Sequence, residues 1–332
     1  MAVSCRPSAM CSSLAVGPLV ASLGAGKNGR MKWTDTHVHI VDFLQRPADC
    51  DGLVRSLRDG GAERAVVFGL PVKKKWSTAE PLKPSYYLDD NAPCHYHSLT
   101  DVLVLDALAV FDEASDLQVA PLICGFDPTD RLAIEHLEAV WSRSDRWAGV
   151  GEVLLRHDDL TNLTRGETPV ADHPAMDNVL SFCADKRVPI SVHHDSSSAG
   201  RPSEHEYIEP FENAIRKHRA TRIVWCHAGV SRRVHPDDQI DLVEALLSRH
   251  RNLTVELSWI ILDAIVDGGD VNPDWRALIC KFTDQFVVGS DSIADPDMIT
   301  HRAGQIDRLL QALPPSVARA VGTDTAGELW FG

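Results

Sequence analysis

Basic residues are scarce: 33 Lys and Arg stand against 47 Asp and Glu, a net charge of −14 over 332 residues. A chain this acidic has no general attraction for phosphate backbones or anionic lipid, so neither nucleic acid nor a membrane is expected as a partner. No apolar run reaches the roughly 20 residues of a spanning helix; Gly, Ser and Pro break the longest candidate. None of the eight cysteines forms a C-x-x-C pair, which removes zinc and redox motifs of that spacing. Cys124 and Cys226 sit in apolar, strand-like runs. They read as unpaired buried thiols of a reducing compartment, and a cytoplasmic location is expected. Residues 1–30 contain no acidic residue. That stretch reads as an inert extension ahead of Met31, the alternative being a weak secretory signal built on Ser12–Gly26.

What remains is an ordinary globular composition, 44% hydrophobic and 24% charged, with ample length for a large core. From Met31 onward short apolar runs alternate with helical patterns. The strand-like runs are Trp33–Ile40, Arg64–Leu70, Gln118–Gly125, Ala148–Leu155, Val188–His194, Thr221–His227, Asn252–Ser258 and Gln285–Ser290. Helical stretches between them include Cys50–Gly60, Asp130–Ser142, His173–Lys186, Glu206–Arg219, Gln239–His250 and Asp297–Leu313. Continuous apolar strands separated by helices indicate a parallel sheet covered on both faces. Eight such units predict a single α/β domain over 31–332, a (β/α)8 TIM barrel. The alternative, an open doubly wound sheet, lacks a G-x-G-x-x-G after its first strand. One connection, 71–117, is much longer than the others; it reads as an insertion over the barrel mouth, part of it helical at Leu103–Phe111.

Active-site groups in a barrel project from the carboxyl ends of the strands. The first strand carries Asp35, His37 and His39 at alternate positions, which share one face. Glu152 ends the fourth run, His193, His194 and Asp195 the fifth, His227 the sixth and Asp291 follows the eighth. Buried ionisable groups are costly unless paired or metal-bound. One or two divalent ions at the mouth would account for all of these groups together. Glu256, Ser258 and Trp259, from the seventh run, are expected to line the same mouth. Arg156, His194 and Lys73 are candidate substrate contacts, Arg156 because its planar fork suits a carboxylate. His157 lies beside it with no assigned role. His95 and His97 form a second H-x-H on a loop, where metal binding is not expected.

These strand-end segments carry a family resemblance. Thr34-Asp35-Thr36-His37-Val38-His39, Pro189-Ile190-Ser191-Val192-His193, Arg222-Ile223-Val224-Trp225-Cys226-His227-Ala228-Gly229 and Gly289-Ser290-Asp291-Ser292 resemble the successive motifs of the amidohydrolase superfamily. The nearest branch is the amidohydrolase 2 group of decarboxylases and lactonases. The resemblance implies that His37, His39, His193 and Asp291 ligate a divalent ion, usually zinc, and that Asp291 takes a proton from metal-bound water. It makes His227 either a second-metal ligand or a catalytic histidine that polarises substrate. Glu152 is similar to the glutamate that holds a second ion in the TatD-like branch, which leaves the count at one ion or two. The implied activity is hydrolysis of a C–N or C–O bond (amide, lactone or ester) in a small anionic molecule by metal-bound hydroxide. The alternatives are non-oxidative decarboxylation of an aromatic or enoic acid, and TatD-like phosphodiester cleavage. A small-molecule substrate is the expected partner, and a homo-oligomer is open.

Overall fold

The computed structural model describes residues 30–74, 93–113 and 116–332. The segment 1–29 lies outside the described residues, as do 75–92 of the expected insertion.

Eight strands supply the parallel sheet: β1 Trp33–His39, β2 Ala62–Phe68, β3 Gln118–Ile123, β4 Gly149–Leu154, β5 Ile190–His193, β6 Ile223–Trp225, β7 Leu253–Leu257 and β8 Phe286–Val288. They lie in sequence order, each hydrogen-bonded to the next. Phe286–Val288 pairs with β7, and the continuation Ser292–Ile293 pairs in parallel with β1. The eighth strand thus joins both sides of the sheet, interrupted at Gly289–Asp291 where the chain turns inward. This is the TIM-barrel fold class the strand–helix alternation predicted.

The sequence accounts for the helix boundaries. Asp49 caps α1 (Cys50–Gly60) by accepting from the Gly52 N–H, and Asp295 does the same for the long helix Pro296–Ala312 through Asp297. Both satisfy N–H groups that a helix start leaves free, and in the second case a first-turn proline fits. Asn272-Pro273 starts a nine-residue helix, Pro273–Lys281, that was not among the expected stretches. Within the expected insertion, 99–113 is the helix that follows β2 in the barrel sequence. Val72–Lys74 and Cys94–Tyr96 form a small antiparallel hairpin ahead of it, held to the barrel by the Tyr96 hydroxyl, which donates to the Leu154 carbonyl at 3.1 Å.

Inside the barrel, Val66 and Phe68 of β2, Ala120 and Leu122 of β3, Val224 of β6 and Val287 of β8 form one buried cluster. Ala326, Leu329 and Trp330 from the helix Thr325–Trp330 complete it, closing the end opposite the carboxyl ends of the strands with apolar surface. Of the six described cysteines all but Cys280 are buried. Among the described residues no helix is long and apolar enough to cross a membrane.

Candidate active site

At the carboxyl end of the strands the lining changes to imidazoles and carboxylates. His37 Nε2 lies 3.1 Å from His39 Nε2 and 3.2 Å from Asp291 Oδ1. His39 Nε2 lies 3.4 Å from the same oxygen. Glu152 Oε2 approaches His37 Nε2 at 3.6 Å and His39 Nε2 at 3.5 Å. Ligands about 2.0–2.1 Å from a tetrahedral zinc stand roughly 3.3–3.4 Å apart. Each imidazole nitrogen therefore has the other three atoms at the spacing of one coordination sphere.

The tautomers agree with that reading. His39 Nδ1 lies 3.0 Å from the Gly69 carbonyl, which can only accept, so Nδ1 carries a proton and Nε2 is the bare lone pair of the neutral ring. His37 Nδ1 lies 2.8 Å from Glu256 Oε1, with the same consequence. His227 Nδ1 lies 2.7 Å from Ser258 Oγ, whose own proton goes to Glu256 Oε1; His227 therefore donates from Nδ1, and in the neutral ring its Nε2 is bare. His193 has a carboxylate oxygen at each nitrogen, Asp195 Oδ1 at 3.0 Å from Nε2 and Glu152 Oε1 at 3.1 Å from Nδ1. His227 Nε2 reaches the same Glu152 oxygen at 3.4 Å. Lone pairs of neutral imidazoles facing each other at 3.1 Å repel unless a cation lies between them. Each ring is held by an acceptor on its far side, as metal-ligating histidines are. The donor set fits a divalent ion, and Glu152 faces two ligand groups at once, one with each oxygen.

Electrostatics carry the same demand. Burial opposes the charged form of every group here. Glu256, Glu152 and Asp291 nevertheless hold His37 well above its ordinary value, and Asp195 and Glu152 push His193 up to about 10. Burial likewise disfavours the carboxylate of Asp291, but His37 and His227 keep it below the usual range. His37 and the hydrogen bonds of His193 and His227 do so more strongly for Glu152. Without an ion, protons on the imidazoles balance the carboxylates, and a metal would compete for those positions.

The backbone at this rim is strained. His227, Ala228, Trp259 and Asp291 take positive φ near 55°, costing on the order of 1–3 kcal/mol each. Non-glycine residues in this region gather at functional sites. Two glycines are obligatory neighbours: a Cβ on Gly289 would stand 2.9 Å from His37 Cβ, and one on Gly151, where φ is +138°, 2.7 Å from the Ser191 carbonyl oxygen.

His39, Glu152, His193, His227 and Asp291 line a small cavity with His157, Trp259, Phe43, Leu70, Leu154, Leu160 and Ile293. Its free space is about 20 Å³, on the order of one water or one ion.

Five expected metal ligands thus converge, and His227 joins them. The expected substrate contacts do not. His194 is fully buried on the opposite face of β5, stacked on Phe211 with ring centroids 5.1 Å apart, because adjacent strand residues face opposite ways. The Arg156 guanidinium lies 3.8 Å over the Tyr207 ring, outside the cavity lining. Lys73 lies on the small hairpin, its Cα paired with His95, and is likewise absent from the lining. Asp35 does not act beside His37 and His39. The β1–β2 register shifts between Asp35 and Val38, and Asp35 Oδ1 instead accepts from the backbone N–H groups of Ser290 and His37. Glu256 and Ser258 hold the ligand histidines from behind rather than lining the mouth. Among the described residues, His95 and His97 join no ligand group. Sequence reasoning gave Asp195 no role, although its placement two residues after His193 was the available signal.

Residues 156–332, just over half of the chain, match the amidohydrolase family model Amidohydro_2, and the chain belongs to that family. No curated protein matches it. Among solved structures, a TIM-barrel protein of uncharacterised role from Bordetella bronchiseptica aligns over 90% of this chain and 98% of its own, at 12% identity and a TM-score of 0.58. An amidohydrolase from Burkholderia multivorans with bound zinc aligns over 90% and 99%, at 14% identity and 0.55. A 2,6-dihydroxybenzoate decarboxylase from Rhizobium aligns over 90% and 98%, at 13% identity and 0.51. At these identities the likeness is one of fold.

Proposed function

We propose that the chain is a metal-dependent hydrolase that cleaves a C–N or C–O bond, in an amide, lactone or ester, of a small anionic molecule. The carrying observation is that His37 Nε2 and His39 Nε2 each lie 3.1–3.6 Å from one another, from Asp291 Oδ1 and from Glu152 Oε2. These residues would hold the ion, zinc first among candidates because imidazole suits it. A second ion would take the other oxygen of Glu152 with His193 Nδ1 and His227 Nε2. Bound there, a divalent cation lowers the pKa of water from about 16 toward about 7 and polarises the scissile carbonyl.

The chain's own residues do the rest. Asp291 is ionised, faces the cavity and is fixed by its N–H to the His37 carbonyl at 3.0 Å; it accepts the water's proton and returns it to the leaving group. Glu256 and Ser258 keep His37 and His227 in the ligating tautomer. Trp259, Leu70 and Phe43 exclude solvent. No Lys or Arg is among the described lining residues, which disfavours phosphodiester cleavage. The apolar half of the cavity favours decarboxylation of an aromatic or enoic acid as the second reading, and carbon dioxide among the products would identify it.

Elemental analysis of the purified protein tests the metal, with one or two equivalents expected and none refuting it. Asp291→Asn should lower kcat about 100- to 10,000-fold while leaving the melting temperature within a few degrees. Unchanged turnover would refute the role of Asp291.

A further inference from the structure

The site has a fifth imidazole, outside the two ligand groups described above. His157 follows β4 and lines the cavity at 4% exposure. Its ring stacks on His193, with centroids 4.2 Å apart and planes 16° from parallel. Both sides of the residue are fixed: its N–H donates to Thr161 Oγ1 at 3.0 Å, and its carbonyl accepts from the Thr161 hydroxyl. The adjoining turn is held on β5, where the Asp158 N–H donates to Asp195 Oδ2 at 2.7 Å.

The ring's tautomer follows from one contact. The Asp159 backbone N–H donates to His157 Nδ1 at 3.2 Å. Nδ1 is therefore the acceptor, and the proton of the neutral ring sits on Nε2. Among the described residues nothing occupies that Nε2. His227 is the opposite case: its Nδ1 faces Ser258 Oγ and its Nε2 faces Glu152 Oε1, so neither nitrogen is open to a substrate. The polarising role that the family resemblance offered to His227 requires a free donor beside the ligand atoms, and His157 has one.

We propose that His157, as its Nε2–H tautomer, donates the hydrogen bond that binds the reacting carbonyl or carboxylate oxygen of the substrate. The proposal rests on the hydrolase reading above for what the substrate is, but not for the state of the ring. The free space of about 20 Å³ takes one small group, so the reacting oxygen of such a ligand would enter it and the remainder would lie outside.

Two variants separate donor from ring. His157→Phe keeps a ring to stack on His193 and removes the donor; His157→Gln keeps an N–H near the Nε2 position. In ¹⁵N-histidine-labelled protein, the resonance lost in His157→Phe should show the Nε2–H tautomer at neutral pH. Benzoate, a flat carboxylate probe, should bind zinc-treated wild type by calorimetry. It should bind His157→Phe about 10- to 100-fold more weakly, the loss expected for a hydrogen bond to a charged group, and His157→Gln within a few-fold of wild type. Bound zinc should be equal in all three. An Nδ1–H tautomer, equal benzoate affinity in His157→Phe, or no binding by wild type would overturn the proposal. Tautomer and metal content are read separately, so protein that takes up no zinc but shows the Nε2–H ring refutes the hydrolase reading and not the state assigned to His157.

Discussion

The two ends of the barrel interior are built from the same strands and obey opposite rules. At one end Val66, Ala120, Leu122, Val224 and Val287 meet the Trp330 plug in apolar contact. At the other, His37, His39, Glu152, His193, His227, Glu256 and Asp291 are buried at 5% exposure or less, with strained backbone at His227 and Asp291. The first arrangement lowers free energy by removing apolar surface from water. The second raises it through desolvation and strain, and is tolerable only because each group has a partner or would gain a cation. Stability and chemistry are thus divided along the strand axis, as the barrel architecture allows.

That division can be broken from the apolar end first. Trp330→Ala should cost about 3–5 kcal/mol and lower the melting temperature by roughly 10 °C, leaving metal stoichiometry and kcat unchanged in the folded fraction. A variant that lost metal at constant fold would show the two ends to be coupled. A smaller effect is expected just behind the ligands. Ser258→Ala removes the acceptor of the His227 Nδ1 proton, and losses of about 10- to 100-fold in metal affinity follow from such changes. Titration against a competing chelator would measure this; wild-type affinity would mean that His227 does not ligate.

The sequence made the same division partly visible. All eight barrel strands overlap the apolar runs read from it, because period and length are properties of the chain itself. The ligands were legible because a charged residue at the end of an apolar strand is too costly to bury unless a metal or a counter-charge meets it there. His227, Asp195 and Glu256 were harder. Their roles depend on which ring nitrogen meets which oxygen, and that is fixed by contacts between residues such as His227 and Ser258, or His37 and Glu256, hundreds of positions apart in the second case. Arg156 and Lys73 stand outside the cavity lining for a related reason. A position near the end of a strand says the residue is at the rim, while the direction of a long side chain is chosen by a partner such as Tyr207.

His193 and His194 sharpen the comparison at single-residue scale. Both are buried and adjacent, yet one ring meets Glu152 and Asp195 while the other stacks on Phe211 against helix Ile208–Lys217. Burial pushes the His194 imidazole down to about 3, so it is neutral, and its Nε2 is buried without a partner. An unsatisfied buried polar atom carries a desolvation cost that an apolar replacement does not. His194→Leu removes that cost together with the stack on Phe211, two opposing terms of similar size. Its stability should therefore stay within about 1.5 kcal/mol of wild type, with kcat/KM and metal content unaltered. If instead turnover fell tenfold at normal metal content, the outer face of β5 would be contributing to the chemistry, and the separation of the two faces would fail at the position where it is drawn most finely.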